Sequence, residues 1–114
     1  MSHIITPFEV SSQSLPECVR VRFVHIFPAI ATRHSDTIDC VFRVNGQTAV
    51  VAISCATLTQ LRERESKYLS DQQLAEMAAL FLRRTLEQGY DATQAELFLG
   101  GDKLREVGRE LGYL

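Results

Sequence analysis

Cys55 follows Ser54 at the point where a β-rich run gives way to a helical pattern, which puts its thiol at an expected helix N-terminus. Free N–H groups and the helix dipole at such a position favour the thiolate, the reactive form of cysteine. Catalysis there would still need a base. His25 and His34 are the candidates, but no Cys–His signature surrounds them. Arg20, Arg22 and Arg43 offer different chemistry, since guanidinium groups bind phosphates and also lie over apolar surface at protein contacts. Cys18, His25, His34 and Cys40 include both soft and imidazole metal ligands, yet none of the paired close spacings of a tetrahedral site. No metal or other cofactor is therefore expected.

The remaining polar clusters are weaker. Gly100-Gly101-Asp102-Lys103 ahead of a helix could turn backbone N–H groups toward an anion. The patterns GxxxxGK[ST] and GxGxxG are both absent, however, so a helix-breaking turn is the simpler reading. Glu63 with Glu65, and Asp36 with Asp39, have no spacing that separates them from solvated surface acids.

Composition narrows the field further. The chain has 114 residues, of which 46% are hydrophobic and 23% charged, values that suit one packed domain and argue against disorder. A formal net charge of −2 gives no overall attraction to nucleic acid or anionic lipid. Three cysteines, an odd number without CxxC, disfavour a disulfide framework. No apolar run reaches membrane-spanning length, and the start MSHIITPFEV lacks the pattern of a secretory leader. A cytoplasmic location is the expectation.

The elements that would position these residues are read from periodicity. Asn45-Gly46 between two β-rich runs is a strong hairpin signal, and a type I′ turn there sets Val44 opposite Gln47, Phe42 opposite Ala49, Cys40 opposite Val51 and Ile38 opposite Ile53. One face of the hairpin is then almost wholly apolar. The other carries Asp39, Val41, Arg43, Thr48, Val50 and Ala52. In the run VRVRFVHIF, alternation assigns Val19, Val21 and Phe23 to the core and Arg20, Arg22, Val24 and Ile26 to the outer face, with Pro28 ending the strand. Phe27 shares the core parity.

Helical patterns follow the hairpin. Ser54 can cap a helix from Cys55, with Leu58 and Leu61 as a narrow apolar stripe. Ser70 and Gln73 have the spacing of a capping box, and Gly89 is placed to stop the helix they begin. Leu74, Met77, Ala78, Phe81, Leu82 and Leu86 give that helix an apolar face wider than one sheet surface needs, which suits a central helix or a dimer contact. Asp102 is a plausible cap for KLREVGREL. The segment AELFLG fits either a short helix or a strand.

The sequence thus predicts an α+β fold: a three-stranded antiparallel sheet (19–27, 38–44, 47–53) followed by about three helices (55–67, 71–88, 102–111). Residues 1–114 are read as a single domain, with 1–16 as an N-terminal arm or edge strand. The function expected is a non-catalytic interaction or regulatory module. Its partner would be another protein or a second copy, met through the outer sheet face or the wide helix 71–88. Anion or nucleic-acid binding through Arg20, Arg22 and Arg43 is the alternative, weakened because the aromatic residues fall on the core face where bases cannot stack. A thiol-dependent enzyme using Cys55 is third.

Overall fold

In a computed structural model, residues 5–11, 18–29 and 36–114 are described. The order is β1 (Phe8–Val10), β2 (Val19–Ala29), β3 (Thr37–Val44), β4 (Gln47–Ser54), α1 (Cys55–Glu65), α2 (Asp71–Glu87), β5 (Leu97–Leu99) and α3 (Gly101–Glu110). The strands form one five-stranded sheet in sequence order, antiparallel from β1 to β4 and parallel between β4 and β5. Parallel neighbours need a crossover, and α1 with α2 provides it.

The expected three strands are present, and the sheet is wider by two. Phe8–Val10 pairs with Val19–Val21 and adds an edge strand from the N-terminal arm. Residues 1–4 and 12–17 of that arm lie outside the described residues. The ambiguous AELFLG becomes a strand at Leu97–Leu99, where Leu97 and Leu99 align with Val51 and Ile53 on the core face. Three residues are too few to show a period, so only the pairing with β4 decides the matter.

The β3–β4 register is the expected one at every position from Val44↔Gln47 to Ile38↔Ile53. Asn45 and Gly46 supply the positive φ angles of the turn, 50° and 83°. Asn45 also ties the turn to β2, because its N–H donates to the Arg20 carbonyl at 2.9 Å and its Oδ1 accepts from the Arg20 N–H at 2.9 Å.

The expected alternation in β2 fails beyond Phe23. Phe23 pairs with Phe42 but His25 pairs with Val41, so Val24 is an extra residue in a β-bulge. One inserted residue exchanges the two faces for the rest of the strand. Ile26 consequently packs on the core beside Cys40, whereas His25 and Phe27 move to the outer face. Pro28 does not end the strand: it lies within β2 opposite Ile38. Among the described residues β1 covers only Val19–Val21, so Pro28 occupies an edge, where a missing N–H is tolerated.

Core-face side chains including Val21, Cys40, Phe42, Val51 and Ile53 are fully buried under the helices. α2 is the central helix. Its Ser70 cap and Gln73 form the expected capping box. Leu74, Met77, Ala78, Leu82 and Leu86 are buried between the sheet, α3 and the C-terminal residues, which accounts for the width of its apolar face. Ion pairs Arg84–Glu110 and Arg105–Glu65, and a hydrogen bond from the Tyr113 hydroxyl to Glu76, fasten α3 and the C-terminus to α2 and α1.

Helix ends differ from expectation by small amounts. α1 stops at Glu65 because Ser66 adopts a left-handed conformation, and α3 starts at Gly101 with Gly100, not Asp102, as its N-cap. The two helix starts are linked. Ser54 Oγ accepts from Thr57 N–H at 3.2 Å, and Thr57 Oγ1 accepts from Gly101 N–H at 2.9 Å. Gly100 permits this approach, since a Cβ there would lie 2.9 Å from Ser54 Cβ and 2.8 Å from the Phe98 ring.

Gly46 has no atom within reach of an added Cβ, so replacing it isolates the cost of its backbone conformation. Gly46→Ala is expected to lower stability by about 1 kcal/mol in urea unfolding with an unchanged denaturant slope. A neutral effect would mean that the turn does not require left-handed residues.

Candidate interaction surface

The face of the sheet turned away from the helices collects the residues with chemical interest. Strand pairing orders them in rows. Arg22 lies opposite Arg43, which lies opposite Thr48; His25 opposite Val41, opposite Val50; Phe27 opposite Asp39, opposite Ala52; and Ala52 opposite Phe98. Arg20 adjoins Glu9 on β1, with 3.3 Å between Nε and Oε1.

The structure brings the three predicted arginines together. Arg20, Arg22 and Arg43 line one open hollow of about 880 Å³ with Pro7, Phe8, Glu9, Asn45 and Gly46. Arg20 is balanced by Glu9, while Arg43 donates only a long bond of 3.4 Å to the Gly46 carbonyl. Neither Arg22 nor Arg43 has a carboxylate partner among the described residues. Two cations directly opposite on neighbouring strands repel each other, so this end of the sheet favours an incoming negative charge.

The opposite end has the other sign. Asp39 is half-buried, and its carboxylate accepts from Thr37 Oγ1 at 2.8 Å. Asp36 lies exposed just before β3. An apolar band runs from Val41 and Val50, half-buried between the two charged ends, into the acidic end, where Phe27 opposite Asp39 is 40% exposed and Ala52 is buried. Val24, pushed out by the bulge, is 41% exposed and Phe98 is 57% exposed. Phe27 stacks on His25 with ring centroids 5.1 Å apart.

Phe27 was missed by alternation because the bulge has no sequence mark stronger than the run VRVRFVHIF itself. Its move to the outer face overturns the argument that aromatic side chains are confined to the core. Phe98 was missed because its strand was unassigned. The only signal available was a large apolar residue between two leucines in a segment too short to pattern.

Cys55 stands where expected, at the first position of α1, but not in the expected electrostatic state. Burial is the main influence pushing its thiol up from the ordinary value, and the carboxylates of Asp36 and Asp39 add to it. Its backbone N–H donates to the Asp36 carbonyl at 3.1 Å, which fixes that acidic segment beside it. His25 is no base for this thiol. It sits two strands away in the Val41–Val50 row, roughly 13 Å along the sheet from the Thr37–Ser54 row that precedes Cys55. His34 lies outside the described residues.

The other candidates separate in the same way. Cys40 is fully buried on the core face, where burial pushes its thiol up to about 12. His25 faces the opposite side of the sheet, so the two cannot share a metal ion. Among the described residues no three ligand-type side chains converge on such a site. At the Gly100-Gly101 turn the Gly101 N–H is already given to Thr57, which takes up one of the donors that would face an anion. Glu63 and Glu65 are exposed on α1, and Glu65 is paired with Arg105. Among the described residues no helix is long and apolar enough to cross a membrane.

Alkylation of Cys55 by iodoacetamide, followed by mass spectrometry across pH, is expected to give a midpoint above that of the same cysteine in the unfolded chain, since burial favours the protonated thiol and the thiolate is the nucleophile. A midpoint below 8 would restore Cys55 as a nucleophile. Compared with known protein families, characterised proteins and solved structures, the chain matches none of them.

Proposed function

We propose that the chain is a non-catalytic protein-interaction module whose working surface is the outer face of its sheet. The observation that carries this reading is an apolar band on that face that is only partly covered: Val24, Phe27 and Phe98 are exposed and Val41 and Val50 half-buried, while Ala52 beside Phe98 is buried. Phe27, Val41, Val50 and Phe98 lie on the side of the sheet opposite the buried helix faces, with the bulged Val24 at its margin. A sheet covered on one side tolerates water on the other when that side is polar, and this one is apolar through its middle. Apolar patches rimmed by charge are characteristic of protein contacts. The wide face of α2 is already occupied within the chain, which favours the sheet over that helix as the contact surface.

A photo-crosslinking residue installed at Val50, in the centre of the band, should capture protein in cells, whereas the same residue at the exposed Glu87 of α2 should not. Equal yields at the two positions, or none at Val50, would count against the reading.

Anion or nucleic-acid binding is the second reading, and a specific observation supports it. The arginine hollow lies on the same face as the exposed Phe27, so a cationic groove and an aromatic ring are available together. Phosphate contacts weaken steeply with salt. Retention on a phosphocellulose matrix at low salt, lost in the Arg22→Ala/Arg43→Ala variant, is the expected result. Elution of the unaltered protein without retention rejects this alternative.

A further inference from the structure

We infer that the occupant of the outer sheet face is a second copy of this chain, docked face to face about a two-fold axis that runs across the strands above Val41. This rests on the protein-interaction reading and adds the identity and orientation of the partner. The basis is an arrangement of charge that becomes complementary only under that operation.

On β3 the outward residues are Asp39, Val41 and Arg43, so Val41 is equidistant from a carboxylate and a guanidinium, about 7 Å along the strand in each direction. A half-turn about an axis above Val41, parallel to the sheet, outside its outer face and perpendicular to the strands, exchanges the two ends of the face. Arg43 of one copy then stands over Asp39 of the other. The same contact occurs twice, as an isologous interface requires.

β2 obeys the same arrangement because of its bulge. Arg22 is level with Arg43, His25 with Val41 and Phe27 with Asp39. The half-turn therefore sets Arg22 over Phe27 of the second copy, a cation over an aromatic face. Without the extra residue Val24, Phe27 would point into the core and this contact could not exist. On β4 the corresponding residues are the exposed Thr48, the half-buried Val50 and the buried Ala52, which put no charge against the axis. Val41 and Val50 meet their own copies and complete an apolar centre between two charged ends.

Energetics favour this occupant. Arg22 and Arg43 repel each other across β2 and β3, and an arriving Asp39 carboxylate relieves that repulsion. Antiparallel strands in two facing sheets also satisfy the aligned mode of sheet packing, in which strand directions stay within about 30°. The parallel orientation would bring arginine over arginine and aspartate over aspartate. It is excluded by like-charge repulsion.

The test is a charge exchange. Arg43→Asp and Asp39→Arg each place like charges in both symmetry-related contacts, so each variant alone should dimerise at least about tenfold more weakly than the unaltered chain in sedimentation velocity. An equimolar mixture of the two carries only opposite-charge contacts and should form a heterodimer. The double variant Arg43→Asp/Asp39→Arg should regain the homodimer, which also shows that neither substitution spoils the fold. A monomeric unaltered chain at hundreds of micromolar overturns the inference. So do single variants that dimerise normally, or a mixture and a double variant that both remain monomeric. A monomer that still crosslinks to other proteins from position 50 leaves the interaction reading standing and removes only self-pairing. A monomer retained on phosphocellulose through Arg22 and Arg43 transfers this face to anion binding instead.

Discussion

Strand register is the constraint on which this molecule depends, and the register is set at two points that act in opposite directions. At Asn45 and Gly46, two residues with positive φ reverse the chain in the fewest possible steps, and the hydrogen bonds of Asn45 to Arg20 extend that alignment to β2. Everything from Val44 to Phe42 and from Val19 to Phe23 follows by alternation. At Val24 the alternation is broken once, and the second half of β2 shows its other side to the helices. A core built from Cys40, Phe42, Val51 and Ile53 needs the first device. An outer face carrying His25 and Phe27 needs the second.

The helices show how little of the chain is left free once the sheet is aligned. α1 begins directly at the end of β4, and the hydroxyl of its Thr57 receives the first N–H of α3, so the starts of two helices are held at one corner of the sheet. α2 then has a single place to lie, against the core-facing side chains and beside α3. Its broad apolar surface is consumed by these two neighbours. Because the buried helix faces are turned to the same side, Phe27 and Phe98 on the other side of the sheet are left exposed.

Much of this was legible in the residues, and the exceptions have physical causes. The hairpin could be aligned from Asn45-Gly46 because left-handed turn residues are rare and local. The capping box at Ser70 and Gln73 is likewise a short-range signal. The edge strands were legible only as alternatives, an arm or edge strand within 1–16 and a helix or strand at AELFLG, since Phe8–Val10 and Leu97–Leu99 acquire their conformation from partners far away in the chain. The bulge was invisible for a related reason: Val24 is a good strand residue on either face, and only the fit of Ile26 beside Cys40 reveals the slip. On the outer face, Arg20 and Arg22 could be assigned because their parity precedes the bulge, and Arg43 because the hairpin turn fixes it. Phe27 was lost because its parity follows the bulge. Cys55 stands at the helix start that its sequence position indicates, and there the helix-start effect is opposed by burial and two nearby carboxylates that no local pattern discloses.

The shortness of β1 and β5 has a consequence for how this chain behaves when crowded. An exposed strand edge is a template to which further strands can add without limit, the route to cross-β fibrils. Here the outermost strands have three residues each, too few for a persistent ladder. Beyond β1, the part of β2 without a described outer neighbour carries the bulge at Val24 and then Pro28, which has no N–H to offer. Each interrupts the regular row of donors and acceptors that an incoming strand would copy. The margins of the sheet thus resist templated polymerisation even though Phe27 and Phe98 stay exposed on its outer face.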